Sequence, residues 1–427
     1  MASSAPKIAL EEHFDAPEEV DRKAQILADR IRTSAHFIVF TGAGVSTSAG
    51  IPDFRGPDGV WTRRAQGKEV DSSKLTSTLQ AVPTATHMAL VELQNRGVLK
   101  HLVSQNCDGL HRRSGVLPSM LSELHGNSNL EHCRDCKTEY LRGTLSPLSR
   151  PLLNSRVASA QLNNTTDSGN PGADFRAVAP YTKTVHDHYT KRKCALCSGP
   201  LLDSIINFHE PLPASTLARA FAEAEKADLC LVLGSSLTVT PANEIPETAA
   251  RNTKRGPGRK TGSLAICNLQ STPLDELVKP DLRVYASADD LMTRVMAKLG
   301  MEIPRFVLRR RVAVEERVNG TDGNSKWEVA VLGFDGDTPA TFLKTVRLGY
   351  NRRVVREEPF VFAVQRGGGR ADVGTVLKFE LEFMGHYGEP GVEVEFIVGE
   401  EGEERAERVT YLLEFDLGVG GWAVTRE

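Results

Sequence analysis

Seven cysteines occur in the 427 residues, and four of them form two Cys-x-x-Cys pairs, Cys133/Cys136 and Cys194/Cys197. Four thiolates in two such knuckles are the donor set of a tetrahedral zinc site, and with no position left for water the metal is expected to be structural. His132 and His188 lie close by as further donors, but four sulfurs already close the shell. A second stretch, "FTGAGVSTSAGIPDFRG" (40–56), suits a different chemistry. Gly42-Ala43-Gly44 follows an apolar run, and backbone N–H groups in such a loop can hold a pyrophosphate at a helix N-terminus. The structural alternative is a tight turn that needs glycine for its backbone angles. The spacing departs from G-x-G-x-x-G: Thr47 stands at the third glycine position, and no acidic residue closes a second strand about twenty residues on. Pro52 cannot continue a helix, and the loop runs straight into Phe54 and Arg55. An ordinary dehydrogenase fits this poorly.

The elements that must position these residues alternate. Residues 18–34 show helical spacing of Val20, Ala24, Ile26, Leu27 and Ile31, and "HFIVF" (36–40) reads as a buried strand. A helix over 84–97 and a strand over 98–106 follow. "DLCLVLGSSL" (228–237), "SLAICNLQ" (263–270) and "LRVYASADDLMTRVMAKLG" (282–300) repeat the pattern. Apolar strands alternating with helices predict an α/β domain with a Rossmann-like parallel sheet, whose ligands collect at the carboxyl ends of the strands. The cysteine pairs interrupt that pattern, and the polar interval 163–172 between them reads as a disordered loop. From about 305 the pattern changes to a two-residue period, as in "VLKFELEF" (376–383) and "RVTYLLEF" (408–415), which predicts a C-terminal all-β domain, a sandwich or a barrel.

Composition narrows the function classes. The chain has 52 basic and 55 acidic residues, a net charge of −3, so a nucleic-acid contact would need a local patch. No run of about 18 apolar residues appears, which argues against a membrane partner. The first residues carry acids and lack an apolar core, which predicts neither a secretory signal nor a transit peptide. With those features the cysteines read as metal ligands and free thiols rather than a disulfide framework.

"GAGVSTSAGIPDFRG" together with "QNCDGLH" (105–111), "ELHGN" (123–127), the two Cys-x-x-Cys pairs, "GSSLTVTPA" (234–242) and "NLQ" (268–270) resembles the sirtuins, NAD-consuming protein deacylases. The blocks span about residues 20–300 in the family's order. "GIPDFRGPDGVW", "THMAL" and "SQNCDGLHRRSG" are most similar to the class IV, nuclear branch, which implies a nuclear location. The resemblance implies a reaction that splits the nicotinamide–ribose bond of NAD and releases lysine, nicotinamide and O-acyl-ADP-ribose. It implies His125 as general base, with Asn106 and Ser46 as further catalytic candidates. For the cofactor it implies Gly42, Ala43, Gly44 and Thr47 at the diphosphate, and Asp53, Phe54, Arg55 and Trp61 around the reacting ribose. Gln105, Asn106, Asp108 and His125 are implied at the ribose and nicotinamide, Gly234, Ser235 and Ser236 at a second strand tip, and Asn268, Gln270 and Ala288 at the adenosine end. Two positions depart from the family: Cys107 stands where Ile or Val is usual, and His209 where Gly is usual.

The implied partner is an acylated lysine peptide of a histone or another nuclear protein, lying between "SIINFHEPLP" (204–213) and residues 235–242. The basic runs 253–262 and 307–317 are candidates for chromatin or nucleic-acid contact, against the plainer reading of solvated loops. The sequence thus divides into a catalytic domain, 1–304, with a zinc lobe over about 126–203, and a β-rich domain, 305–427, of unknown role. The same site also suits protein mono-ADP-ribosyl transfer, and a chromatin-binding module with a weakly active pocket is the non-enzymatic alternative.

Overall fold

The computed structural model describes residues 11–54, 56–57, 59, 62–63, 66–67, 78–141, 188–207, 210–252, 261–319, 326–333, 340–349, 352–356, 359–364, 373–398 and 408–427. Arg55, Trp61, His209, the interval 163–172 and most of the basic run 253–262 lie outside these residues. The chain forms two compact units. The first holds the described residues up to Ser128 and those from Ser204 to Phe306; the second holds those from Asn129 to Asp203 and from Val307 to Glu427.

The first unit is built on six strands. These are β1 (Phe37–Thr41), β2 (Leu99–Ser104), β3 (Leu121–Glu123), then β8 (Leu229–Leu233), β9 (Leu264–Cys267) and β10 (Arg283–Val284). Their order across the sheet is β10-β9-β8-β1-β2-β3, and every neighbouring pair is parallel. This is the doubly wound order, with its reversal between β1 and β8. The central strands are buried on both faces, which accounts for their unbroken apolar runs. Helices cover the sheet: α1 (Pro17–Thr33), α2 (Ala85–Asn95), the short α3 (Leu110–Ser114), α4 (Ala214–Ala224), α5 (Glu244–Ala250) and α6 (Ala288–Leu299). Pro17 and two glutamates open α1, and its Val20, Ala24, Leu27 and Ile31 form one buried stripe in a core shared with Leu291, Met292 and Val295 of α6. Ser287 caps α6, which ends at Gly300 in the left-handed region.

Register places the motifs. Thr41 of β1 lies opposite Ser104 of β2 and Leu233 of β8, Leu233 lies opposite Cys267 of β9, and Ser104 lies opposite Glu123 of β3. The next residues along each strand are Gly42, Gln105, Gly234, Asn268 and Leu124. Five motifs far apart in sequence therefore emerge in one row at the carboxyl edge.

The second unit holds the cysteine lobe and the C-terminal strands. In the lobe, β4 (Leu130–Cys133), β5 (Glu139–Leu141), β6 (Tyr189–Lys193) and β7 (Pro200–Asp203) form a sheet of order β5-β4-β7-β6. Glu131, fully buried on β4, accepts from Arg192 Nε of β6 at 2.8 Å across β7. The C-terminal strands are β11 (Leu308–Asn319), β12 (Lys326–Gly333), β13 (Leu343–Leu348), β14 (Arg353–Val355), β15 (Phe360–Val364), β16 (Val376–Phe383), β17 (Val392–Ile397), β18 (Arg408–Asp416) and β19 (Gly421–Arg426). They form antiparallel sheets of order β15-β12-β11-β18-β19 and β14-β13-β16-β17. One apolar cluster takes Val312, Phe362 and Leu413 from the first sheet and Val346, Phe379 and Phe396 from the second. Of the two expected architectures, this is the sandwich.

Candidate functional site

At the reversal between β1 and β8 two strand tips touch through main chain. Gly44 N–H donates to the carbonyl of Gly234 at 2.9 Å. A Cβ on Gly42 would lie 2.7 Å from that oxygen, and one on Gly44 would lie 2.7 Å from Gly234 Cα. Gly234 itself has φ +61°, and its own Cβ would meet Gly44 at 2.6 Å. No side chain fits this junction. Beyond it the loop makes two short 3₁₀ turns, Ala43–Val45 and Thr47–Ala49, and ends at Gly50 with φ 80°.

A buried hydrogen-bond cluster supports the loop from beneath. Ser46, fully buried, donates to Asp108 Oδ2 at 2.7 Å, and Asp108 Oδ1 accepts the N–H of Leu110 at 2.9 Å, which starts α3. Asn106 donates to the carbonyl of Gly42 at 3.0 Å. Ser46, expected among the catalytic groups, thus sits under the loop as a support. Thr47 is exposed and its hydroxyl turns back to Gly44 O at 3.3 Å. Asp53 accepts the N–H of Gly56, and Phe54 is half-buried.

His125 follows β3. Its Nδ1–H donates to the carbonyl of Gln105 at 2.8 Å, which fixes the tautomer and leaves the basic lone pair on Nε2. Gln105 reaches across to Ser235 Oγ at 3.2 Å, so the base is tied to the second strand tip through one residue. The His125 carbonyl accepts Ile206 N–H at 3.1 Å and the Cys107 thiol at 3.2 Å. Burial pushes the Cys107 thiol up to about 12, so it stays a protonated donor. Gly126, with φ +78°, passes so close to the chain at Ser204 that a Cβ would lie 1.8 Å from its carbonyl oxygen. Ser236 pairs with Thr238 at 3.1 Å.

At the far end of the row, Asn268 Nδ2 donates to Gln270 O at 2.9 Å, and Ala288 begins α6 nearby in sequence to β10. Arg283, missed in the sequence, organises this end. Buried on β10, it donates to the carbonyls of Asn268, Val284 and Gln270 at 3.0, 2.9 and 2.7 Å and pairs with Asp275 at 2.9 Å. One arginine inside an otherwise apolar strand was the available signal.

Behind the glycine loop lie two buried histidines. His111 Nε2 bonds Thr41 Oγ1 at 2.8 Å, and its ring centroid is 4.6 Å from that of His87. Burial holds His87 down to about 4, and burial with the neighbouring imidazole holds His111 well below its usual range. Both are therefore neutral at pH 7.

The four cysteine sulfurs of the lobe lie within 4.8 Å of one another, with Cys133–Cys197 at 3.4 Å and Cys136–Cys194 at 3.6 Å. The two knuckles have the same shape. Cys133 N–H donates to Thr138 O at 2.9 Å and Cys194 N–H to Gly199 O at 2.7 Å, and Lys137 and Ser198 occupy the same left-handed position in each. Tyr140, fully buried, donates to Cys194 Sγ at 3.1 Å. This all-sulfur set fits a structural zinc. His188 is turned to Asp203 at 3.1 Å, away from a ligand role.

The main-chain junction, the switch-point position and the oriented imidazole also fit a dinucleotide. Known proteins are similar to this chain in sequence. The Sir2 family model matches residues 42–80 and 70–241. The "NAD-dependent protein deacetylase SRT1" of Oryza sativa subsp. indica is 36% identical over 362 residues, covering 83% of this chain and 65% of the relative. The chain therefore spans just under two thirds of that relative's length. The "NAD-dependent protein deacetylase Sirt6" of Drosophila melanogaster is 35% identical over 295 residues, covering 69% of this chain and 81% of the relative. A solved "Sir2-p53 peptide-NAD+" complex is 27% identical with a TM-score of 0.44, covering 64% of this chain and 98% of the other. With its motifs in one row and relatives of this identity and coverage, the chain belongs to the Sir2 family, the sirtuins.

Proposed function

We propose that this chain is an NAD-dependent protein-lysine deacylase acting on acylated lysines of histones or other nuclear proteins. The observation that carries the reading is His125, held by the Gln105 carbonyl with Nε2 as its basic nitrogen, in the same row as the Gly42–Gly234 junction. NAD, the co-substrate, supplies an electrophilic ribose carbon when nicotinamide leaves. His125 Nε2 takes the proton of a ribose hydroxyl. Backbone N–H groups of Ala43 and Gly44, with Thr47, bind the diphosphate. Asn106 and Asp108 orient the nicotinamide end, with Ser46 and Gln105 holding them. Phe54, with Arg55, Asp53 and Trp61, covers the ribose and excludes water. Ser235 and Ser236 line the second tip, and Asn268, Gln270 and Ala288 take the adenosine. Cys133, Cys136, Cys194 and Cys197 hold zinc without entering the chemistry.

The acylated peptide extends along residues 204–207, where Ile206 N–H donates to the His125 carbonyl. We assign residues 1–304 to catalysis, with the zinc lobe inserted, and 305–427 to a separate β domain. The likeness to the class IV branch supports a nuclear location, and a fluorescent fusion that stays outside the nucleus contradicts it. Chromatin contact through the basic runs has less support: on β11, Arg309 and Arg311 are paired with Glu414 and Glu427. The deciding assay incubates the protein with NAD and acetylated or long-chain-acylated histone peptide. Nicotinamide release with O-acyl-ADP-ribose and a lighter peptide is expected. ADP-ribose attached to protein would instead favour mono-ADP-ribosyl transfer, and peptide binding with neither product would leave a binding module.

A further inference from the structure

Asp289 is the second residue of α6, and its two carboxylate oxygens serve two other elements. Oδ2 accepts the hydroxyl of Ser48 at 2.6 Å, in the Thr47–Ala49 turn of the glycine loop. Oδ1 accepts the N–H of Thr86 at 2.8 Å and its hydroxyl at 2.5 Å, in the first turn of α2. The neighbouring turn, Ala43–Val45, is held from the same end of α2, where Thr84 Oγ1 donates to Val45 O at 3.0 Å. Underneath, Ser46 is fixed to Asp108. The loop is thus gripped at three successive points, and Asp289 supplies the grip on its outermost turn. That turn ends at Gly50, from which the chain departs toward Asp53 and Phe54, so its position also sets where the covering segment starts. Three donors occupy the carboxylate, which tempers the repulsion a bare aspartate would exert on a diphosphate.

We infer that Asp289 is a positioning residue for the dinucleotide: through Ser48 it holds the Thr47–Ala49 turn in the shape that receives the diphosphate. The inference takes its ligand from the deacylase reading, but the clasp itself stands on geometry. The test is steady-state kinetics on the full chain, with NAD varied at saturating acylated histone peptide, and amide hydrogen exchange without NAD. Removing one hydrogen bond in Ser48→Ala is expected to raise KM for NAD about 3–10-fold while kcat stays within about twofold. Asp289→Ala raises KM at least as much, and adding Ser48→Ala to it raises KM no further, since both remove the same bond. Exchange of Ala43–Gly50 quickens in both variants while that of the cysteine lobe does not change. An unchanged KM in either variant, additive effects in the pair, or unchanged exchange overturns the inference. If the wild-type protein releases no nicotinamide, the deacylase reading fails, and the exchange experiment still decides whether the clasp exists.

Discussion

A single backbone carbonyl decides which nitrogen of His125 is basic. Because Gln105 O takes the Nδ1 proton, the lone pair is left on Nε2. His125→Tyr is expected to abolish deacylation while the circular dichroism spectrum and zinc content stay those of the wild type; full turnover by that variant would sink the assignment. His87 and His111 carry a different expectation. Their folded pKa values lie below the unfolded value near 6.5, so the unfolded chain binds more protons on acidification. Their contribution to stability is complete above about pH 6.5 and declines as pH falls toward about 4. Thermal midpoints measured across that window should fall for the wild type and fall less for His87→Gln. The short motifs and their order along the chain were legible in the sequence. The roles of Asp289 and Arg283 were not. An aspartate in a first helical turn reads as ordinary dipole complementation, and the partners of Asp289 are Ser48 and Thr86, distant in sequence.

At the scale of elements, register converts scattered motifs into a site. Each short motif follows a strand, and alternation of strand and helix was enough to predict a parallel sheet with its ligands at one edge. The order β3-β2-β1-β8-β9-β10 was not legible, because its centre depends on the pairing of β1 with β8, segments far apart in sequence. Gly126 shows how such a pairing constrains one position. Gly126→Ala must accept a left-handed backbone, costing about 1–2 kcal/mol, and must also push the chain at Ser204 away from a 1.8 Å clash. We expect its thermal midpoint to drop by several degrees and KM for the acylated peptide to rise, both read on the purified variant. Wild-type values for the two would mean that residues 204–207 do not carry the peptide.

For the whole molecule, the zinc lobe is the part most exposed to a chemical test. One zinc per chain is expected by elemental analysis, and Cys194→Ser should lose it together with the lobe's resistance to protease. Protein that is metal-free yet fully stable would refute the site. Two-residue periodicity announced the C-terminal strands, but it could not tell a sandwich from a barrel. That choice turns on which strands pair, and only the separate sheets with one shared core decide it. The match to the rice relative covers 83% of the chain, more than residues 1–304 can accommodate, so the likeness reaches into this β region as well. The meeting of Gly42 and Gly44 with Gly234 has a pharmacological corollary. An inhibitor seated on that junction would meet peptide groups rather than side chains. A substitution that evades it by adding bulk there would also force the two strand tips apart, so resistance at those three positions would come at the expense of the junction itself.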